Sequence, residues 1–278
     1  MVIAGANAWR RALEAGKVHR DGEPLTRASW LVHGDLLTWT TADSYERDDW
    51  PELGWTYGHQ DRDCAVVWKP AGMPTSGNGG LNLACQMPGH PVHRLDKSTS
   101  GWLIVSQNEH LTAAFTQAFT RGEIQKSYLA LAVGKTPERL DIRLPLDGRP
   151  CHTVCERIAS GPWPVHGHAS LLKIDLLTGR THQIRRHLHA VGHGLVGEDR
   201  NWNGDGNGDG DGNGDGNGDG NGNGRVYRGW GLFLTAIQLS FEHPLTKERI
   251  SCNGVIPRKF RKIRWAPQGE DLSSLFPS

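Results

Sequence analysis

The segment His93-Arg94-Leu95-Asp96-Lys97-Ser98-Thr99-Ser100-Gly101 runs straight into Trp102-Leu103-Ile104-Val105, and no other stretch constrains the fold of this chain as much. A turn rich in Ser, Thr and Gly bends the backbone, and the apolar run behind it reads as a buried strand. Any fold adopted here must therefore carry the carboxylate of Asp96 on a polar loop anchored in the core, with a His-Arg pair beside it. Loops held this way are where proteins commonly display working side chains. An Asp in a turn also caps backbone donors in most proteins, so the geometry alone decides nothing.

Strand and helix signals alternate downstream of this turn. Asn108 is placed to cap a helix from Glu109 to Arg121, with Leu111, Ala114, Phe115, Ala118 and Phe119 on one face and Gly122 as its stop. Thr181 is expected to cap a second helix through Val191, whose Ile184, Leu188 and Val191 form an apolar stripe ending at Gly192. Short β-prone runs such as Tyr128 to Val133 lie between them, so the fold class is mixed α/β (α+β).

Four ordered motifs carry a family resemblance. They are Lys69-Pro70-Ala71-Gly72, the string from His93 to Gly101, Lys126-Ser127-Tyr128, and Leu177-Thr178-Gly179-Arg180-Thr181-His182-Gln183-Ile184-Arg185. Leu234-Thr235-Ala236 and Phe241-Glu242-His243-Pro244 add a closing strand and turn. In this order and at these separations they resemble the RluA-type family of RNA pseudouridine synthases, over roughly residues 62 to 262. The resemblance implies a largely antiparallel sheet with a central RNA cleft, and conversion of uridine to pseudouridine in structured RNA. That reaction breaks the N1–C1′ bond, turns the base and joins C5 to C1′, without redox change, so it calls for no cofactor. It needs an ionised carboxylate, a group to move a proton, and a pocket that retains the freed base.

The resemblance also implies roles for particular residues. Asp96 is the catalytic carboxylate, acting as nucleophile or as stabiliser of charge at C1′. Arg185 is its paired cation, because a buried carboxylate without an opposite charge tends to protonate. Tyr128 offers a face to stack on the base and a hydroxyl to assist proton movement. Arg94 is expected to fill the gap left by an extruded uridine, and Arg180 and His182 to position RNA phosphates. The bland alternatives are turn capping for Asp96, strand packing for Tyr128 and surface phosphate contacts for the arginines.

The chain divides, as an expectation, into a small N-terminal unit at 1–40, a polar linker at 41–61, a catalytic domain at 62–265 and a tail at 266–278. The N-terminal unit reads as a helix from Ala8 to Gly16 and two strands, at Lys17 to Gly22 and Val32 to Trp39. It resembles the latter part of an alpha-L RNA-binding motif, the alternative being an N-terminal extension packed on the catalytic core. Residues 203–224 alternate Gly with Asn or Asp and read as a disordered insertion. Their closest match to a calcium loop, from Asp211, puts Gly222 where the twelfth-position Glu belongs, so no calcium is expected.

Net charge is +1, but the insertion holds five Asp and no Lys or Arg; without it the balance is +6, which suits a polyanionic partner such as tRNA or rRNA. Five cysteines with no framework spacing point to reduced thiols in a cytoplasmic protein. Cys151 and Cys155 have no matching second pair, so no metal is expected there. His187, His189 and His193 read as solvated helix surface rather than ligands, and Trp102 and Trp163 as core. The opening residues lack a signal-peptide pattern and no run is long enough to span a membrane, so a soluble monomer with no obligate protein partner is expected. A protein that binds RNA without modifying it is the main competing reading. A hydrolase using Asp96 would want a second carboxylate nearby, and the motif region offers only Glu109, on a helix.

Overall fold

The computed structural model describes residues 18–20, 23–25, 37–39, 56–77, 82–198, 231–254, 256–267 and 276. The helix expected at residues 8–16, the tract at 203–224 and most of the proposed linker lie outside these residues. Among the described residues, β1 (Val18–Arg20), β2 (Glu23–Pro24) and β3 (Leu37–Trp39) form a small antiparallel sheet in the order β2-β1-β3.

The main sheet has ten strands: β4 (Tyr57–Gln60), β5 (Cys64–Lys69), β6 (His90–Pro91), β7 (Ser100–Ser106), β8 (Gln125–Val133), β9 (Arg139–Ile142), β10 (Thr153–Trp163), β11 (Gly167–Leu176), β12 (Leu234–Glu242) and β13 (Arg249–Asn253). Its order is β4-β5-β7-β12-β8-β11-β10-β9, with β13 beside β12 and β6 beside β7. Every pairing is antiparallel except β7 with β12, so the sheet is largely antiparallel as expected. Among the described residues there are four helices, α1 (Leu83–Gln86), α2 (Glu109–Arg121), α3 (Gln183–Ala190) and α4 (Arg258–Arg261). No helix among the described residues is long and apolar enough to cross a membrane.

β7 is buried at every position because its two faces meet two different cores. Leu103 and Val105 point to a cluster with Met73, Leu95, Tyr128, Ile184 and Leu188, under α1 and α3. Trp102 and Ile104 point the other way, to Val66, Leu111, Phe115 and Phe241 under α2. That two-residue period explains why the strand reads as an unbroken apolar run. β8 repeats the pattern, with Tyr128 and Ala130 on the first core and Leu129 and Leu131 on a third that holds Trp163, Phe233 and Phe260. Trp102 and Trp163 are buried, as expected.

α2 follows its sequence signals closely. The Asn108 side chain accepts the backbone N–H groups of His110 and Leu111, and Gly122 ends the helix at φ 72°. Leu111 and Phe115 are fully buried, each contributing about 1.5–3 kcal/mol of apolar burial.

Two expectations need correction. The linker reading at 41–61 overlaps β4: Tyr57–Gln60 pairs with β5 as the edge of the main sheet. The pairing is made by backbone, and Tyr-Gly-His-Gln on an edge carries no apolar alternation to betray it. α3 starts at Gln183 rather than after a Thr181 cap. Its N-cap is His182 in the left-handed region at φ 54°, without a side-chain cap bond.

The turn before β7 is held by Gly101. Its φ is 133°, and a Cβ there would lie 2.3 Å from the Ala236 carbonyl oxygen on β12. The parallel contact of β7 with β12, Gly101 opposite Ala236, is thus possible only for glycine. Gly101→Ala is expected to cost on the order of 3 kcal/mol from backbone strain and overpacking. Denaturant unfolding checks this, and an unchanged midpoint would show that the two strands can separate freely.

Candidate active site

Asp96 sits on the turn between β6 and β7, and three contacts shape that turn. The Thr75 hydroxyl donates to the Leu95 carbonyl at 2.8 Å and accepts the Leu95 N–H at 3.0 Å. The Gly72 N–H donates to the Lys97 carbonyl at 2.7 Å, joining the Lys-Pro-Ala-Gly loop to the Asp96 turn. That loop is itself gathered by Lys69, a fully buried side chain whose ammonium donates to the carbonyls of Pro70 and Met73 at 3.0 and 2.7 Å. Burial lowers the Lys69 pKa to about 7, against the opposing pull of the Asp96 charge.

The partners of Asp96 come from α3 and its N-terminus. His182 Nδ1 donates to Asp96 Oδ2 at 2.7 Å, and Arg185 Nη1 donates to the same oxygen at 3.2 Å. Arg185 is almost fully buried, and its other edge holds Glu198, with Nε to Oε2 at 2.7 Å and Nη2 to Oε1 at 2.5 Å. One guanidinium thus bridges two carboxylates in a rigid fork. Burial by itself would raise the Asp96 pKa, but the hydrogen bond and charge of His182, then those of Arg185, outweigh it and hold the carboxyl below its ordinary value. Asp96 is therefore ionised at neutral pH.

The left-handed backbone at His182 costs about 1–2 kcal/mol and aims its ring at Asp96. His182, expected among the RNA contacts, thus also partners Asp96 directly. The turn that makes it possible is organised by Gln183, which is buried. Its Oε1 accepts the Thr178 hydroxyl at 2.8 Å and the Arg180 N–H at 3.0 Å. Its Nε2 donates to the His152 carbonyl at 3.1 Å and to Thr153 Oγ1 at 2.9 Å.

Tyr128 is buried in β8 on the same face as Leu95 and Ile184. Burial, and then the charge of Asp96, push its phenol above the ordinary value, so it is a neutral donor rather than a base. Lys126, two residues earlier on the same face of the strand, has its ammonium 5.0 Å from the centre of the Phe119 ring, and burial lowers its pKa to about 8. Arg94 and Arg180 are exposed on the two turns that meet at Asp96. His93 turns inward instead: its Nε2 accepts the Ile104 N–H at 3.1 Å, and burial lowers its pKa to about 3, leaving a neutral imidazole.

Reading the motifs missed Glu198, Gln183 and the buried role of Lys69. Glu198 had a faint signal in Gly197-Glu198, an acidic residue just before the insertion. It also supplies a second carboxylate close to Asp96, which the motif region lacked, but both of its oxygens are engaged by Arg185. A further correction concerns His187, which is fully buried rather than solvated. Its Nδ1 accepts the Thr153 hydroxyl and its Nε2 donates to the Leu144 carbonyl, both at 2.9 Å.

The family described as RNA pseudouridylate synthase matches residues 63–190, the stretch that holds Asp96, Tyr128, His182 and Arg185. Ribosomal large subunit pseudouridine synthase C of Pasteurella multocida is 30% identical over 246 residues, covering 77% of this chain and 68% of that protein. Pseudouridylate synthase RPUSD2 of Mus musculus is 26% identical over 218 residues, 68% of this chain and 38% of that one. In fold, the structure of human RNA pseudouridylate synthase domain containing 1 covers 80% of this chain and 94% of its own at a TM-score of 0.59 and 24% identity. The chain belongs to the RluA-type family of RNA pseudouridine synthases. It spans 38% to 47% of the length of three of the curated relatives it matches.

Proposed function

We infer that this chain is an isomerase that converts uridine to pseudouridine in structured RNA, with Asp96 as the catalytic residue. The observation that carries the reading is the clamp on Asp96: a carboxylate kept ionised by His182 and a buried Arg185, on the turn that leads into β7. An ionised carboxylate is what the chemistry requires, as nucleophile or as partner of positive charge at C1′. Arg185 sets its charge and direction. Tyr128 stacks on the base, and its hydroxyl assists proton movement as a hydrogen-bond donor. Arg94 and Arg180, exposed beside the turn, hold the RNA around an extruded uridine.

The domain at 62–265 performs this step, and the unit at 1–40 adds RNA contacts. The names of the bacterial relatives support ribosomal RNA as a substrate beside tRNA. The free buried cysteines support a cytoplasmic setting.

The direct test is release of tritium from RNA labelled at uracil C5, comparing the chain with Asp96→Asn. Release by the wild type alone supports the isomerase. Binding of structured RNA without release from tRNA or rRNA would favour the non-modifying reading. In the same assay Tyr128→Phe keeps the ring and loses the hydroxyl, and a fall of about 10²–10⁴ in turnover is expected. Turnover equal to wild type would restrict Tyr128 to stacking.

A further inference from the structure

At the opposite end of β5 from Lys69, the β4–β5 hairpin gathers His59, Asp61 and Cys64. One ligand atom from each lies within 4.8 Å of the others. The Asp61 Oδ2 is 2.8 Å from His59 Nε2 and 3.6 Å from the Cys64 sulfur. Asp61 Oδ1 accepts the backbone N–H groups of Asp63 and Cys64, both at 2.8 Å, so the turn fixes this carboxylate and leaves Oδ2 facing the other two groups. From another part of the chain, His243 points its Nε2 at the same oxygen from 3.4 Å. That nitrogen is buried and makes no hydrogen bond, while Nδ1 accepts the N–H groups of Leu245 and Thr246.

We propose that His59 Nε2, Asp61 Oδ2 and Cys64 Sγ form a binding site for one divalent transition ion, with zinc the best fit. Three ligands of imidazole, carboxylate and thiolate type suit zinc's preference for mixed N, O and S donors. Tetrahedral zinc at its usual bond lengths sets neighbouring N and O ligands about 3.3 Å apart and neighbouring S and O ligands about 3.6 Å apart. The sulfur already stands at that separation, and the imidazole needs to open by about half an ångström as its hydrogen bond to Asp61 is exchanged for metal. Solvent takes the fourth position. His243, with Nδ1 occupied as an acceptor, carries its proton on Nε2 and acts as the outer partner that orients the Asp61 carboxylate.

The ion would staple the β4–β5 hairpin to the turn between β12 and β13, since Asp61 binds it while His243 holds Asp61. Five residue steps of β5 lead from Cys64 to Lys69, roughly 17 Å of strand, which places the ion away from Asp96. The site does not depend on what Asp96 does.

Cobalt(II) titration of the reduced, metal-stripped full chain tests it. The expected result is a tetrahedral cobalt spectrum with a thiolate charge-transfer band that saturates at one equivalent. That band is lost in Cys64→Ser and kept in Cys252→Ser, and His59→Gln, at a partly exposed position, weakens cobalt binding more than tenfold. The absence of a thiolate band in the wild type overturns the proposal. A band that survives Cys64→Ser also overturns it, by placing the metal at other thiols such as Cys151 and Cys155. Unchanged affinity in His59→Gln removes the imidazole from the ligand set and overturns the site as stated.

Discussion

Asp96→Asn is expected to lower turnover by about 10⁴-fold or more while leaving the fold and RNA binding in place. The substitution keeps the shape and removes only the charge. Arg185 retains both bonds to Glu198, so no buried cation is stranded and the melting temperature should move little. In the proposed reading RNA affinity rests on cations such as Arg94 and Arg180, which the change does not touch. Equilibrium RNA binding and tritium release, measured on the same preparation, separate the two effects. Turnover near that of the wild type would remove Asp96 from the chemistry.

Arg185→Ala should do more damage, because it acts on both stability and reaction. The guanidinium is 3% exposed and faces the carboxylates of Asp96 and Glu198. Its removal leaves two like charges poorly solvated, a loss of about 3–5 kcal/mol, or on the order of 10 °C in melting temperature. The pH dependence follows from the sign of the Asp96 shift. In the wild type the carboxyl is held below its ordinary value, so the stabilisation is complete above the unfolded carboxylate value and fades as pH falls through the folded one. Without Arg185 the carboxyl titrates higher. The acid limb of turnover moves up, and the stability gap between variant and wild type narrows as pH falls. An unmoved acid limb together with an unchanged melting temperature would show that Arg185 neither sets nor stabilises the charge on Asp96.

Much of the frame was legible because its causes are local. Asn108 and Gly122 bracket α2 through bonds made within one turn of chain, and the period of two in β7 and β8 reports which side chains meet which core. β4 escaped notice because an edge strand can be held by backbone pairing alone, and the His59, Asp61 and Cys64 set because no pattern in the chain announces it.

By itself, then, the sequence determined the Asp96 turn, the strand behind it and α2, while a cation beside Asp96 was implied only by the family resemblance. Only the tertiary structure decided what surrounds that carboxylate. His182 and Arg185 stand 86 and 89 positions from Asp96, and they reach it because α3 packs Ile184 and Leu188 against the core that β7 also lines. The same packing buries His187, turns His182 inward and sets Glu198 across Arg185. Capping and periodicity act over a few residues and leave a trace in the chain. An ion-pair network in a buried site depends on distances and solvent exclusion that exist only after the sheet and helix have come together.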